Sequence, residues 1–157
     1  MKKLTPFLWF DTNLKEITNF YLSVFPDAKI RGNGNLSDTP SGNVEMATME
    51  ILGQELSMMT AGPLFKFNEA ISFVIRCEDQ AEIDYYWEKL TADGGSEGKC
   101  GWCKDKYGLS WQIVPIAMDE MMSCGDGEKI GRVTQAFLKM KKFDVAKLQE
   151  VFESDTK

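Results

Sequence analysis

The sequence predicts an α+β fold made of two βαβββ modules with C-terminal helices. The first observation is an internal repeat, because one helical apolar pattern occurs twice with an offset of 66. The two sets of residues are Ile17, Phe20, Tyr21 and Val24, then Ile83, Tyr86, Trp87 and Leu90. The second observation is that short strand-like runs flank each helix, so each half should contain a strand, a helix and about three strands.

The predicted boundaries follow from the repeat. The modules are expected at about residues 4–60 and 69–116, with a helical segment at about 117–155, all within a single domain of 157 residues. Phe7 to Phe10 is a short apolar run that predicts the first strand. Asn13 with Glu16, and Asp79 with Glu82, have the spacing of a capping box at the start of each helix.

The remaining elements are predicted from turn residues and periodicity. Gly32 to Gly42 is rich in Gly, Asn, Ser and Pro, which predicts a loop. Strands are expected at Val44 to Leu52 and Glu55 to Met59, and later near Lys99 to Lys104 and Leu109 to Val114. After Pro115 the pattern becomes helical, with short helices expected at 119–123, 130–140 and after Asp144.

Composition excludes several classes of function. The formal charge is −6, which argues against a nucleic-acid partner and against binding to anionic membranes. No apolar run is long enough to span a bilayer or to form a signal peptide, so a cytoplasmic protein with free thiols is expected. The chain contains no histidine, so it lacks the commonest metal ligand and acid–base residue.

Several motifs in this chain form a specific set. They are Pro6 to Asp11, Phe20-Tyr21 with Val24 to Pro26, Gly62-Pro63 with Phe67-Asn68, Ala70 to Phe73, Cys100 to Trp102, and Asp105 to Pro115. This set resembles the PhnB-like family, which carries the label 3-demethylubiquinone-9 3-methyltransferase, within the vicinal oxygen chelate (glyoxalase/bleomycin resistance/dioxygenase) superfamily. The resemblance extends to Arg132 to Lys142. It implies a glyoxalase-like scaffold with one curved sheet in each module, and often a homodimer.

The resemblance also indicates where a metal would lie. In metal-using members of the superfamily, each module supplies one ligand from its first strand and one from its last. The corresponding positions here are Pro6, Ser57, Ser72 and Gln112, and a neutral amide is a poor substitute for a carboxylate ligand. The expectation is therefore no metal and no cofactor.

Two further motifs carry little chemistry. Gly32-Asn33-Gly34-Asn35 is the candidate for a Gly-rich turn that would hold S-adenosylmethionine, but no helix pattern follows it. Cys100 and Cys103 have redox spacing, but the segment is expected to be a strand that places them on opposite faces. Structural thiols are therefore favoured over a disulfide or a zinc site.

Strand alternation predicts two faces. The large apolar residues expected to face the helices are Phe7, Trp9, Leu56, Met58, Phe73, Ile75, Trp111 and Ile113. The opposite face should carry Leu8, Phe10, Glu55, Ser57, Met59, Ser72, Val74, Arg76, Ser110 and Gln112. This mixture of apolar and polar groups is typical of a small-molecule cleft.

The ligand-pocket candidates from that face are Phe10, Glu55, Ser57, Met59, Ser72, Arg76, Ser110 and Gln112. Glu55 is a candidate base and Arg76 a candidate anion-binding group, although pairing with each other or a position at the solvent rim is favoured for both. The predicted function is metal-independent binding of a small, partly aromatic molecule. The alternatives are an enzyme, either a methyltransferase or a lyase or isomerase, and a structural or regulatory dimer without a ligand.

Overall fold

The computed structural model describes residues 3–154, and the chain divides into two compact units between Lys66 and Phe67. Each unit contains a four-stranded mixed sheet, and the strands follow the same spatial order in both sheets. The prediction of two βαβββ modules followed by helices is therefore confirmed. Within residues 3–154 no helix has the length and apolar composition needed to cross a membrane.

The first unit has one helix and four strands. In chain order these are β1 (Phe7–Phe10), α1 (Leu14–Val24), β2 (Lys29–Thr39), β3 (Gly42–Ile51) and β4 (Gln54–Thr60). The sheet order is β1-β4-β3-β2, with β1 parallel to β4 and the other pairs antiparallel. The Asn13 side chain accepts a hydrogen bond from the Glu16 backbone N–H, which caps α1 as the sequence predicts.

The prediction of a loop over residues 32–42 is wrong. Most of this stretch belongs to β2, which pairs with β3 from Lys29 to Thr39, with irregularities in register at both ends of the ladder. The side chains of β2 are almost all exposed, so no apolar alternation reveals the strand. Backbone pairing with β3 supplies the hydrogen bonds, and this pairing outweighs the weak strand propensity of Gly and Asn.

The predicted faces of β1 are inverted. Leu8 and Phe10 are buried, and the Phe10 ring packs edge-on against Tyr21 of α1, whereas Phe7 is 53% exposed. Phe10 is only 2% exposed, so it is a core residue and not a pocket residue. In this apolar strand, alternation cannot show which set faces the core.

The register explains the inversion. Leu8 pairs with Met58, and Ile75 pairs with Ile113, so the strands repeat with an offset of 67 whereas the helices repeat with 66. The connection between β1 and α1 has three residues, but the connection between β5 and α2 has two. One additional residue before α1 therefore accounts for the shift.

The second unit has the same order of elements, followed by three helices. They are β5 (Ser72–Cys77), α2 (Gln80–Thr91), β6 (Ser96–Glu97), β7 (Trp102–Lys104), β8 (Ser110–Pro115), α3 (Ile116–Met122), α4 (Gly127–Phe137) and α5 (Val145–Glu153). The sheet order is β5-β8-β7-β6, with β5 parallel to β8. The side chain of Asp79 caps α2 through the Glu82 backbone N–H, as predicted.

The strand predicted over residues 99–104 is shorter than expected. Residues 99–101 form a turn in which Cys100 has a φ of 56° and Gly101 a φ of 78°. The backbone N–H groups of Cys100 and Gly101 donate to the carbonyls of Met140 and Lys141. This turn, and not strand alternation, therefore determines the position of Cys100.

The turn from β7 to β8 is organised by one buried carboxylate. Asp105 is 1% exposed and accepts hydrogen bonds from the backbone N–H groups of Tyr107 and Leu109, at 2.9 and 3.1 Å. Its other oxygen accepts from Trp111 Nε1 at 2.9 Å. The carboxylate thus accepts hydrogen bonds from three donors that would otherwise be buried without a hydrogen-bond partner.

The C-terminal helices form a small core of their own. Met118, Met121, Val133, Phe143 and Leu148 are its buried members, and Cys100 and Val114 pack against it. Gln80 of α2 holds the start of α5, because its Nε2 donates to the Phe143 carbonyl and its Oε1 accepts from the Val145 N–H. The helical segment is therefore attached to the second unit.

Candidate functional site

The second sheet has one face that is not occupied by α2. Residues paired across a sheet share a face, so the register shows which residues lie on it. We call this face of the second sheet the second open face. Its members are Ser72, Val74, Arg76, Trp102, Lys104, Ser110, Gln112 and Val114. Four predicted site residues, Ser72, Arg76, Ser110 and Gln112, are therefore brought onto one face of one sheet.

A cavity of about 200 Å³ lies at the β6–β7–β8 side of this unit. It is lined by Glu69, residues 96–98, β7 and Ser110, and we call it the second-sheet cavity. Ser110 is 1% exposed, and among the described residues its hydroxyl has no hydrogen-bond partner. A buried hydroxyl without a partner costs about 1–3 kcal/mol, so this group is prepared for a ligand atom or a water molecule.

The neighbouring polar residues are already paired. Gln112 Nε2 donates to Ser72 Oγ at 2.8 Å, so these two predicted site residues form one polar group on the second open face. Both side chains are half-buried. Their contact fixes the amide orientation, and it leaves the hydroxyl of Ser72 free to rotate its own proton toward another acceptor.

Three charged side chains border the second-sheet cavity. Lys104 forms an ion pair with Glu69, and this hydrogen bond is the main reason why the pKa of Glu69 is lowered. Glu97 accepts from Trp87 Nε1 at 3.1 Å and from Lys141 Nζ at 3.0 Å. These two bonds, the one from Trp87 first, lower the pKa of Glu97. Both carboxyl groups are therefore ionised at neutral pH.

Arg76 is engaged at another part of the same sheet. Its Nε lies 2.9 Å from Asp119 Oδ2 of α3, and both side chains are more than half exposed. An exposed pair of this kind contributes little net stability. The predicted role of Arg76 in anion binding is thus less favoured than the position at the solvent rim.

The first sheet also has an open face, which we define by its register. Phe7, Trp9, Met46, Thr48, Glu50, Glu55, Ser57 and Met59 share it. A shallow cavity of about 250 Å³ is lined there by residues 32–34, 46–48 and Ser57. Glu55 accepts a hydrogen bond from Thr5 Oγ1 at 3.2 Å. Of the predicted residues, Glu55, Ser57 and Met59 lie on this face, whereas Phe10 does not.

The residues at the superfamily's metal positions do not fit a divalent ion. Ser57, Ser72 and Gln112 offer two hydroxyls and one amide, and Pro6 offers no side-chain donor. Between residues 3 and 154, no three His, Cys, Asp or Glu side chains lie together as a potential ligand set. Hard cations prefer carboxylates and transition metals prefer imidazole or thiolate, so these four residues match the ligand preference of neither class of metal.

The four cysteines are free thiols in different environments. Burial raises the pKa of Cys77 and of Cys103 to about 12, and nearby carboxylates contribute a smaller part of the increase. Cys124 is exposed and Cys100 is half-buried. Because the thiolate is the reactive form, the two buried thiols are expected to be unreactive at neutral pH.

Alkylation of the folded protein with iodoacetamide at about pH 7.5 should therefore modify Cys124 first and Cys100 more slowly. Cys77 and Cys103 should react only after unfolding, as measured by intact mass and peptide mapping. Rapid labelling of Cys103 in the native state would contradict the burial of this side chain.

The raised pKa of Cys77 and Cys103 also predicts a pH dependence of stability. As the pH rises, the unfolded chain loses these thiol protons before the folded chain does, so the free energy of unfolding should fall above about pH 8.5.

Comparison with known proteins identifies the family of this chain. A family model described as 3-demethylubiquinone-9 3-methyltransferase matches residues 2–114. The chain belongs to this family. The match ends before α3, so the predicted resemblance over residues 132–142 lies outside the matched range. Comparison with curated proteins finds no match.

Solved structures show the same fold as this member of the 3-demethylubiquinone-9 3-methyltransferase family. The PhnB protein of Bacillus cereus is 29% identical, with a TM-score of 0.63, and the alignment covers 73% of this chain and 99% of that one. Protein PA1353 of Pseudomonas aeruginosa is 17% identical, with a TM-score of 0.59 over 73% of this chain and 98% of its own.

A third structure is the fosfomycin resistance protein FosX of Listeria monocytogenes, a mutant of which was crystallised with Mn(II) and 1S,2S-dihydroxypropylphosphonic acid. It is 16% identical, with a TM-score of 0.53 over 73% of this chain and 92% of its own. At this identity the likeness concerns the fold alone. The glyoxalase-like scaffold is therefore established for this family member, and its ligand is a separate question.

Of the eight residues that line the second-sheet cavity, sequence reasoning predicted only Ser110, and the seven that it missed include Glu69, Trp102 and Lys104. Glu69 precedes β5 in a turn, and Trp102 and Lys104 lie on β7, which pairs with β8 opposite Gln112 and Ser110. The available signal was alternation in the predicted 99–104 strand, since positions 102 and 104 share a face.

Proposed function

We propose that the protein binds a small, partly aromatic molecule without a metal ion, and that the second-sheet cavity is its binding site. One observation carries the proposal: the Ser110 hydroxyl is buried at the cavity and has no partner among the described residues. The indole of Trp102 lines the same cavity and offers a flat apolar surface. Most of the other lining residues are polar or charged, so Trp102 is the main apolar surface of a mixed cavity.

The variant Ser110→Ala separates a binding role from a structural role. Removing an unpaired buried hydroxyl should leave the free energy of unfolding unchanged or raise it by up to about 1 kcal/mol. The same change should weaken ligand binding about tenfold, because one hydrogen bond to the ligand is lost. Urea denaturation measures the first effect, and NMR titration measures the second.

Phenol, benzoate and benzylamine serve as probes in that titration. Their binding should shift the Trp102 indole N–H signal, whereas the signal of Trp9, which donates to the Gly62 carbonyl in the first unit, serves as an internal reference. Ser23→Ala is the matched control, since Ser23 is exposed on α1 and donates to the Phe20 carbonyl. If Ser110→Ala destabilises the fold and leaves binding unchanged, the hydroxyl has a structural role and the proposal fails.

The methyl transfer named by the family description requires a site for S-adenosylmethionine. The Gly32 to Asn35 segment lies within β2 and pairs with β3, so it does not form a turn between a strand and a helix. Isothermal titration with S-adenosylmethionine tests this point directly. Micromolar affinity would favour the methyltransferase over the binding protein.

The homodimer that the resemblance implies stays a prediction.

A further inference from the structure

The charged groups at the second-sheet cavity differ in whether a ligand can replace their partners. Glu97 is held by two donors, Trp87 and Lys141, at 3.1 and 3.0 Å. Glu69 and Lys104 instead pair with each other at the edge of the cavity. A ligand that enters the cavity can therefore replace one member of the Glu69–Lys104 pair, whereas Glu97 keeps its two hydrogen-bond donors.

The two members of the Glu69–Lys104 pair are unequally exposed. The Glu69 side chain is 64% exposed and belongs to a turn, whereas the Lys104 side chain is 34% exposed and belongs to β7. Glu69 can move into water at little cost, because exposed ion pairs contribute little net free energy. Lys104 is the more buried charge, so it needs an anionic partner more than Glu69 needs a cation.

Lys104 and Ser110 together present two donors. They are direct partners in the antiparallel β7–β8 ladder, so their side chains share a face. Trp102 lies two residues along β7 on that same face, at a spacing of about 7 Å. An ammonium group, a hydroxyl and an indole therefore line one small cavity. Their spacing suits a ligand in which an acid group is attached to an aromatic ring.

We propose that the second-sheet cavity selects a small aromatic carboxylate and that Glu69 acts as an internal competitor for its place. The ligand carboxylate replaces the Glu69 carboxylate on Lys104 and accepts a hydrogen bond from the Ser110 hydroxyl. The ring lies against Trp102. This assignment rests on the proposed function, and it adds the charge of the ligand and the residue that opposes its binding.

An amine is the opposite possibility, and the exposures argue against it. A cationic ligand would take Glu69 from Lys104 and would leave without an anionic partner the ammonium group of a side chain that is only 34% exposed. Ser110 accepts or donates equally well and does not discriminate between the two classes. The preference therefore comes from Lys104.

The test uses two variants of the same ion pair with opposite expected effects. Glu69→Gln removes the competitor and should lower the Kd for benzoate about threefold to tenfold. Lys104→Gln removes the cation and should raise that Kd at least tenfold. The Trp102 indole signal reports binding, and the Kd for wild-type protein should rise with salt concentration.

Arg31 and Glu50 provide the control, because they form an ion pair in the first unit, away from the second-sheet cavity. Glu50→Gln and Arg31→Gln change the net charge by the same amounts as Glu69→Gln and Lys104→Gln, respectively. They should leave the Kd for benzoate within a factor of two. If Glu69→Gln weakens benzoate binding, or if benzylamine binds more tightly than benzoate, the assignment is wrong. If phenol binds in a Ser110-dependent manner and benzoate does not bind, the anion assignment fails but the proposed function stands. If no probe binds, both fail.

Discussion

Replacing Asp105 with alanine should lower the free energy of unfolding of the second unit by about 3–5 kcal/mol. The carboxylate is 1% exposed and accepts from two backbone N–H groups and from the Trp111 indole. In the variant, all three donors stay buried beside a small void. The loss of three charge-assisted bonds is larger than the typical effect of a core substitution.

Urea denaturation followed by tryptophan fluorescence measures this loss, since Trp111 is one of the bonded groups. Asp119→Ala is the control, because it also removes a carboxylate, but one whose ion pair with Arg76 is more than half exposed. The control should change the free energy of unfolding by less than about 0.5–1 kcal/mol. Equal effects of the two substitutions would show that the buried bonds of Asp105 carry no particular weight.

Gly101→Ala is expected to be the second strongly destabilising change, with a loss of about 3 kcal/mol or more. Gly101 has a φ of 78°, and an added Cβ atom would lie 2.5 Å from Phe143 Cε2 and 2.7 Å from the Ile113 carbonyl oxygen. The backbone strain and the steric overlap therefore add. The ring of Phe143 belongs to the C-terminal core, so it has little freedom to move.

Gly125→Ala separates these two causes. Gly125 has the same φ of 78°, but within residues 3–154 no non-adjacent residue has an atom within 4 Å of the place that an added Cβ atom would take. This variant should lose only the cost of a left-handed alanine, about 1–2 kcal/mol. The difference between the two variants in thermal or urea unfolding then measures the overlap with Phe143 and Ile113. If both lose the same amount, the close approach at Gly101 is relaxed in solution.

The helix starts were the most predictable part of the fold. Asn13 and Asp79 were expected to cap α1 and α2, and both side chains accept the predicted backbone N–H. This succeeds because capping depends on residues only three positions apart. The repeat of apolar helix positions was predictable for the same local reason, and it led to the correct architecture.

Non-local pairing decides the elements that were missed. β2 has no apolar face, and its strand conformation depends on backbone bonds to β3. The orientation of β1 depends on one additional residue before α1, and an apolar run such as Phe7 to Phe10 reads the same in either phase. Alternation within a single strand cannot reveal either feature.

The candidate site was predictable in part. Ser72, Ser110 and Gln112 were placed on one face because their strands alternate clearly, whereas Phe10 was misplaced with β1. The Glu69–Lys104 pair joins a turn to a strand across 35 positions of the chain, and no local pattern encodes such a contact. Charged residues in turns are common, so sequence alone gave no reason to single out Glu69.

The attachment of the C-terminal helices has a consequence for synthesis on the ribosome. The strands of the first unit find all their partners within residues 7–60, so this unit can fold while the rest of the chain is still being made. The second unit must wait, because the N–H groups of the turn at Cys100 and Gly101 bond to residues 140 and 141, and Gln80 bonds to Val145. Its four strands lie within residues 72–115, but these bonds to the C-terminal segment form only when nearly the whole chain has emerged.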